Sequence, residues 1–220
     1  MKQFLVGAAA SNSGKTTLTM GLLRALRDHG LRVQPFKCGP DYIDTMFHHL
    51  ASGNESINLD SFFASRAHLL DLFHRHSQQA DVSVVEGVMG LFDGYEKTQG
   101  SSAEIAKILG LPIVLVVNAK STAYSVAPLI YGYKRFDPQL HIAGVIFNQV
   151  GSDKHYHLLQ QACTDAGVEC LGYLAKNPQL IIPGRHLGLT ISERKEMDNL
   201  ITLAAKEVES HVDLEKLIAL

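Results

Sequence analysis

The chain has 220 residues, 46% hydrophobic and 19% charged, which is enough apolar content to bury a core and excludes a disordered segment. Twenty Lys and Arg against 22 Asp and Glu leave a net charge of −2, so no basic excess is at hand to neutralise a nucleic-acid backbone. No apolar run approaches the roughly 20 residues of a membrane span, the N-terminal MKQFLV lacks a signal-peptide layout, and three cysteines without a C-x-x-C pair point away from disulfides or a zinc ribbon and towards a reducing, cytoplasmic setting.

Buried strands and amphipathic helices are expected to alternate from the first residues. Residues 4–9 read as a strand, 17–29 as a helix that Gly30 stops, and 31–37 as a second strand. Residues 66–76 are helical by pattern, 81–86 form a short buried strand, and 102–109 a helix ended by Gly110. Two apolar strands follow, 112–118 (PIVLVVN) and 141–148 (HIAGVIFN), with a helix over 122–135 between them. A helix at 155–166, a sixth strand at 169–174 and a last helix at 193–209 complete the series. Continuous Val/Ile/Leu strands separated by helices predict a doubly wound, mostly parallel α/β sheet with helices on both faces. Ligands bind such sheets at the carboxyl ends of the strands, where the loops at 8–17, 38–45, 87–102 and 118–124 fall. Residues 1–190 are expected to form the working domain. Residues 191–220 are expected to be a helix and a tail, SHVDLEKLIAL, leading elsewhere.

Between the first strand and the first helix runs Ala9-Ala10-Ser11-Asn12-Ser13-Gly14-Lys15-Thr16-Thr17. It matches the P-loop pattern G-x-x-x-x-G-K-[ST] except that Ala9 replaces the first glycine. Small residues let backbone N–H groups wrap a phosphate, a helix N-terminus adds a favourable dipole, Lys15 reaches the β/γ-phosphates and the Thr16 hydroxyl ligates Mg2+. ATP and Mg2+ are therefore the expected cofactors. Phosphoryl transfer also needs carboxylates beside the loop to hold the metal. Glu86 closes a buried strand, and Glu is a poor helix cap. Asp41 and Asp44 follow the second strand and read equally as metal ligands or as caps for the next helix. Lys37, at the end of that strand, is placed to neutralise phosphate charge.

Longer strings carry more. Residues 33–44 (VQPFKCGPDYID), Asn58-Leu59-Asp60, residues 86–94 (EGVMGLFDG) and Arg185-His186-Leu187-Gly188-Leu189 together resemble the cobyrinic acid a,c-diamide synthases, in the part of that family similar to dethiobiotin synthetase. The resemblance spans about residues 2–189. It implies a P-loop NTPase fold and ATP-dependent amidation, through acyl phosphates, of the a and c acetate carboxylates of a corrin. Ammonia would come from glutamine through a further domain or be used free, and the resemblance also implies a homodimer. By motif match Thr16, Asp41 and Glu86 would hold the metal; Tyr42, Asp44, Gly87 and Asp93 would face the substrate carboxylate or the ammonia. Ser11, Asn12, Ser13, Gly14, Lys15, Thr16 and Thr17 would cradle the phosphates, and Asn148 would read the adenine edge, with Asn118 as the competing candidate. None of Cys38, Cys163 and Cys170 has the setting of a glutamine-hydrolysing nucleophile.

The macrocycle's metal and ring oxidation leave no signature in these strings, so diamide synthases for hydrogenobyrinic acid or nickel-sirohydrochlorin fit the same motifs. A different class, the partitioning ATPases, shares the P-loop architecture but carries a lysine where this chain has Ala10. The histidine pairs His48/His49, His74/His76 and His155/His157 all fall on helices by pattern and read as solvated faces, not metal sites. Tyr124, Tyr131 and Tyr133 read as helix packing.

Overall fold

The structure, a computed structural model, describes residues 2–182 and 191–220; the Arg185–Leu189 string, with His186, lies outside the described residues. Among them seven strands form one sheet: β1 (Lys2–Ala8), β2 (Val33–Cys38), β3 (Ile57–Leu59), β4 (Val82–Glu86), β5 (Ile113–Asn118), β6 (Ile142–Val150) and β7 (Glu169–Ala175), in the order β3-β2-β4-β1-β5-β6-β7. Every neighbouring pair is parallel, as continuous apolar strands joined by helices require. The chain winds one way from β1 and then the other, so β1 marks the switch point whose crevice takes ligands in this architecture.

Helices α1 (Lys15–Asp28), α2 (Asp44–Ser52), α7 (Ile191–His211) and α8 (Leu214–Ile218) cover one face of the sheet. Helices α3 (Arg66–Ser77), α4 (Ser102–Leu109), α5 (Val126–Phe136) and α6 (Asp153–Ala166) cover the other. Strand side chains alternate between these two layers. Phe4 and Val6 of β1, Val82 and Val84 of β4, and Val33 of β2 pack under α1, α2 and α7, while Leu5, Phe36 and Val85 pack under the opposite helices. Lys37 and Glu86 share the parity of Val33 and Val84. The same alternation therefore aims them at α1 and α2, as the last rung of an otherwise apolar row.

Three local differences from the sequence reading have physical reasons. Strand β3 has only three residues, too few for a periodic signal. Helix α5 begins at Val126, not at residue 122, because the chain turns after β5 with Ser121 at φ 60°. The last residues are not a free tail. Asp213 N–H donates to Leu171 O at 2.9 Å, Val212 bridges Gly172 of β7, and Leu217 of α8 is fully buried. Tyr124 and Tyr131 stand about half exposed, whereas Tyr133 packs on Phe92 with ring centroids 5.6 Å apart.

Gly172 makes the docking of the last helices on β7 feasible. Its φ is +137°, and a Cβ there would lie 2.2 Å from the His211 carbonyl oxygen and 2.7 Å from Val212 Cα. Both neighbours are backbone and cannot step aside. Gly172→Ala is expected to cost about 2–3 kcal/mol of stability, read as a lowered urea midpoint at an unchanged slope.

Candidate nucleotide site

The loop after β1 is held in shape by its own side chains and by the far half of the sheet. Gly14 caps α1 at φ 92°, Asn12 takes φ 60°, and Ser13 Oγ donates to Ala10 O at 2.7 Å. From β6, Asn148 Nδ2 donates to Ser13 O at 3.0 Å; from α5, Tyr133 OH donates to Ala9 O at 2.7 Å. A cavity of about 310 Å3 opens beside the loop, lined by Asn12, Lys15, Thr16, Asn148, Gln149 and Ile181. Ser11 and Asn12 are exposed, while Ser13, Thr16 and Thr17 are buried. The N-terminus of α1 thus borders a polar hollow, a setting that suits an anion.

Beneath the loop lies a buried charged cluster that sheet register explains. Lys37 of β2 and Glu86 of β4 are register partners on adjacent strands, so their side chains emerge side by side. Lys37 Nζ lies 3.2 Å from Glu86 Oε1 and 2.8 Å from Asp44 Oδ2, and donates to Gly87 O at 3.0 Å. Thr16 Oγ1 donates to Glu86 Oε1 at 2.8 Å and lies 3.4 Å from Asp44 Oδ2. Helix α2 supplies Asp44 and, one turn on, His48, whose Nε2 meets Glu86 Oε2 at 2.6 Å and whose Nδ1 meets Ser56 Oγ at 2.9 Å. Burial alone would raise the Glu86 carboxyl, but Lys37 first, then the His48 hydrogen bond, hold it well below its ordinary 4.5. Burial would likewise depress the Lys37 amine, and Glu86 and Asp44 outweigh it and hold it above 10.5. Lys15 has no such pairing: burial lowers its amine against the pull of Glu86, and its Nζ donates to Met89 O at 3.0 Å.

A carboxyl depressed by folding stabilises the fold fully above its unfolded value and loses that contribution as pH falls towards the folded one. The stability gap between the wild type and Glu86→Gln is therefore expected to be constant above about pH 6 and to narrow below about pH 4.5. Urea unfolding of both proteins across pH 3–7 checks it.

The structure separates the sequence candidates. It brings Lys15, Thr16, Lys37, Asp44, Glu86 and Gly87 to one place. The Asp41 Oδ1 accepts the N–H groups of Ile43 and Asp44 at 2.8 Å each, in the turn that leads into α2. Tyr42 is exposed, and Asp93 Oδ2 accepts Gly90 N–H at 3.0 Å within the loop after β4. Gly87 has no room for a Cβ, which would meet Ser102 Oγ at 2.6 Å. Asn148 is occupied by Ser13 O and by Gln149 N–H, at 2.9 Å to its Oδ1; Asn118 is exposed and accepts from Lys120 N–H. Cys38 is fully buried, which pushes its thiol up to about 12.

His48 corrects the sequence reading. The pattern reads it as half of a solvated pair, yet it is fully buried on Glu86, while His49, His74, His76 and His157 are exposed. The signal was available in its spacing. Four residues after Asp44 on a helix, His48 must lie on the same face as Asp44.

Thr16 Oγ1, Asp44 Oδ2 and Glu86 Oε1 are hard oxygen donors. Thr16 Oγ1 lies 2.8 and 3.4 Å from the two carboxylate oxygens, and donors of this kind would suit a magnesium ion.

Residues 4–189 match the family described as the CobQ/CobB/MinD/ParA nucleotide binding domain. A Listeria monocytogenes protein named cobyrinate a,c-diamide synthase is 47% identical over 227 residues, covering 100% of this chain and 50% of its own length. Proteins of the same name from Dehalococcoides mccartyi and Archaeoglobus fulgidus are 43% and 44% identical, covering 98% and 97% of this chain and 48% and 47% of their own. The chain therefore spans about half the length of the curated relatives it matches. Among solved structures, chloroplast FtsY from Physcomitrella patens superposes with a TM-score of 0.57 at 13% identity over 91% of this chain and 65% of its own. At that identity the likeness concerns the fold alone. No helix among the described residues is long and apolar enough to cross a membrane.

Proposed function

Because this chain belongs to the CobQ/CobB/MinD/ParA nucleotide-binding domain family, we propose that it binds ATP with Mg2+ and serves as the synthetase part of a cobyrinate a,c-diamide synthase. The observation that carries this reading is identity of 42–47% along nearly the whole chain to relatives of that name. In this reading residues 1–190 hold the reaction. A glutamine-hydrolysing domain supplies ammonia, and the protein works as a cytoplasmic homodimer.

A carboxylate is a poor electrophile towards ammonia. Attack of its oxygen on the γ-phosphorus of ATP expels ADP and leaves an acyl phosphate. Ammonia then adds at the carbonyl carbon, phosphate departs with the C–O bonding pair, and the nitrogen gives up a proton. The protein's task is positioning and charge stabilisation. The loop 11–17 cradles the phosphates through its N–H groups, with Lys15 against the β/γ-phosphates. Thr16, Asp44 and Glu86 would hold Mg2+, which when bound neutralises phosphate charge and so favours transfer. Asp44 takes the metal place that motif match gave to Asp41, because Asp44 shares the contacts of Thr16 and Lys37 whereas the Asp41 carboxylate accepts the Ile43 and Asp44 N–H groups ahead of α2. Lys37 stabilises charge on the transferring phosphoryl group. Tyr42 and Asp93, on the loops flanking the crevice, meet the substrate carboxylate or the ammonia, and Asn148 serves the adenine side.

The test is ADP release and separation of the corrin product, with this chain, ATP, Mg2+ and cobyrinic acid, first with ammonium and then with glutamine. The a,c-diamide from ammonium alone supports the reading and assigns glutamine hydrolysis to a further domain. Turnover with hydrogenobyrinic acid or nickel-sirohydrochlorin but not cobyrinic acid would replace the substrate. No tetrapyrrole-dependent turnover from folded, ATP-binding protein would overturn the synthetase assignment.

A further inference from the structure

Two groups share one pair of carboxylate oxygens. Thr16 Oγ1 lies 2.8 Å from Glu86 Oε1 and 3.4 Å from Asp44 Oδ2. Lys37 Nζ lies 3.2 and 2.8 Å from the same two atoms. The third contact of the ammonium is the Gly87 carbonyl at 3.0 Å. Its three N–H donors therefore each have an oxygen acceptor, and the residue is 2% exposed. The oxygens that suit a magnesium ion are the oxygens this lysine already neutralises.

Charge balance sharpens the point. Lys37 is held by both carboxylates, and His48 meets the other oxygen of Glu86. A divalent ion entering by itself would bring two positive charges into a buried site whose carboxylates already hold a cation, next to an ammonium that cannot leave for water without abandoning its partners. A polyphosphate entering with the ion changes this. It supplies the missing negative charge and offers the ammonium new acceptors. The Lys37 stem, four methylenes on the last turnable rung of β2, lets Nζ swing from carboxylate to phosphate. Lys15 does not compete for these oxygens, because its Nζ is on the Met89 carbonyl.

We infer that the Lys37 ammonium is a resident counter-cation of Asp44 and Glu86, displaced by a divalent ion only when that ion arrives with a polyphosphate, so that metal and nucleotide enter together. This rests on reading the site as a metal-nucleotide site, and not on the identity of the carboxylate that is amidated. It makes Lys37 a selectivity device for the order of assembly, in addition to any role at the transferred phosphate.

Mn2+ binding, read from the EPR signal of the free aquo ion, tests it in three proteins: the wild type, Lys37→Met and Lys15→Met. Without nucleotide, Lys37→Met is expected to bind Mn2+ at least about tenfold more tightly than the wild type, the effect of removing one like charge at close range. Lys15→Met, whose ammonium is held by the Met89 carbonyl and reaches these carboxylates only at longer range, should raise that affinity by clearly less than Lys37→Met does. With a non-hydrolysable ATP analogue the sign reverses, and Lys37→Met binds the Mn2+ complex more weakly than the wild type. A purely structural lysine would not give opposite signs. Equal affinity for Mn2+ in the wild type and Lys37→Met overturns the inference. So does tight stoichiometric Mn2+ binding to nucleotide-free wild type, a result that stands even if Lys37→Met does not fold. If the wild type binds no Mn2+ complex of the ATP analogue, the nucleotide reading itself falls and takes this one with it.

Discussion

Lys15→Ala is expected to lower kcat/KM for ATP by at least about 100-fold, with nucleotide affinity falling in parallel. Lys15 opens α1, and among the described residues its ammonium is hydrogen-bonded to the Met89 carbonyl and to no carboxylate. Burial lowers its amine from 10.5, while Glu86 acts in the opposite sense. A partly buried ammonium that holds only a carbonyl is ready to exchange that contact for phosphate oxygens. Its removal should spare the fold, because the loop is pinned by Asn148 and Tyr133 and not by Lys15. Isothermal titration with an ATP analogue, steady-state ADP release and a thermal melt together decide it. A variant that melts like the wild type but turns over normally would remove the loop from the chemistry.

The second large effect separates three carboxylates that the sequence leaves together. Glu86→Gln and Asp44→Asn should each cost about 100-fold or more in kcat, with the affinity for nucleotide changing far less. Asp41→Asn should cost a few-fold at most, because asparagine accepts the same N–H groups at a helix start. Asp41→Ala should instead lose about 1 kcal/mol of stability. The contrast is built into the geometry: Asp44 and Glu86 meet both Thr16 and Lys37, whereas Asp41 is spent on Ile43 and Asp44 backbone. Breaking a buried charge cluster also destabilises, by about 3–5 kcal/mol when one partner is lost, so the amide substitutions are compared at temperatures where each protein is fully folded. Loss at Asp41 equal to that at Asp44 would return Asp41 to the metal.

Much of this was legible in the sequence. Apolar runs and helix periodicity carry the parallel sheet, because a strand covered on both faces must be apolar throughout. Gly14-Lys15-Thr16 carries the phosphate loop because few other contexts need that order of residues. Lys37 and Glu86 could be named from their places at strand ends. Their pairing could not, because register between β2 and β4 depends on chain segments 49 residues apart in sequence. The choice between Asp41 and Asp44 likewise turns on where α2 starts, which a pattern of capping residues leaves open by a few positions. His48 was missed because a histidine beside another histidine on a helix was judged by the exposed member of the pair. Asn148 was found as a site residue, but its reach to Ser13 depends on how closely β6 approaches the loop: a Cβ on Gly14 would fall 1.9 Å from its Nδ2.

The central position of β1 has a consequence for the order of synthesis. β1 is made before both of its neighbours, β4 and β5, and β5 does not begin until Ile113. At translation rates of about 5–20 residues per second, β1 waits on the order of ten seconds for its second partner. During that interval Phe4, Leu5 and Val6, all fully buried in the finished molecule, have only part of their final cover, and the phosphate loop lacks its rim from β6 and α5. The asparagine and tyrosine that brace the loop emerge later still, so a nascent chain halted before β6 should have the loop's residues and none of its affinity. Ribosome-bound chains of increasing length, probed with an ATP analogue, would show binding switch on only after β6 has left the ribosome.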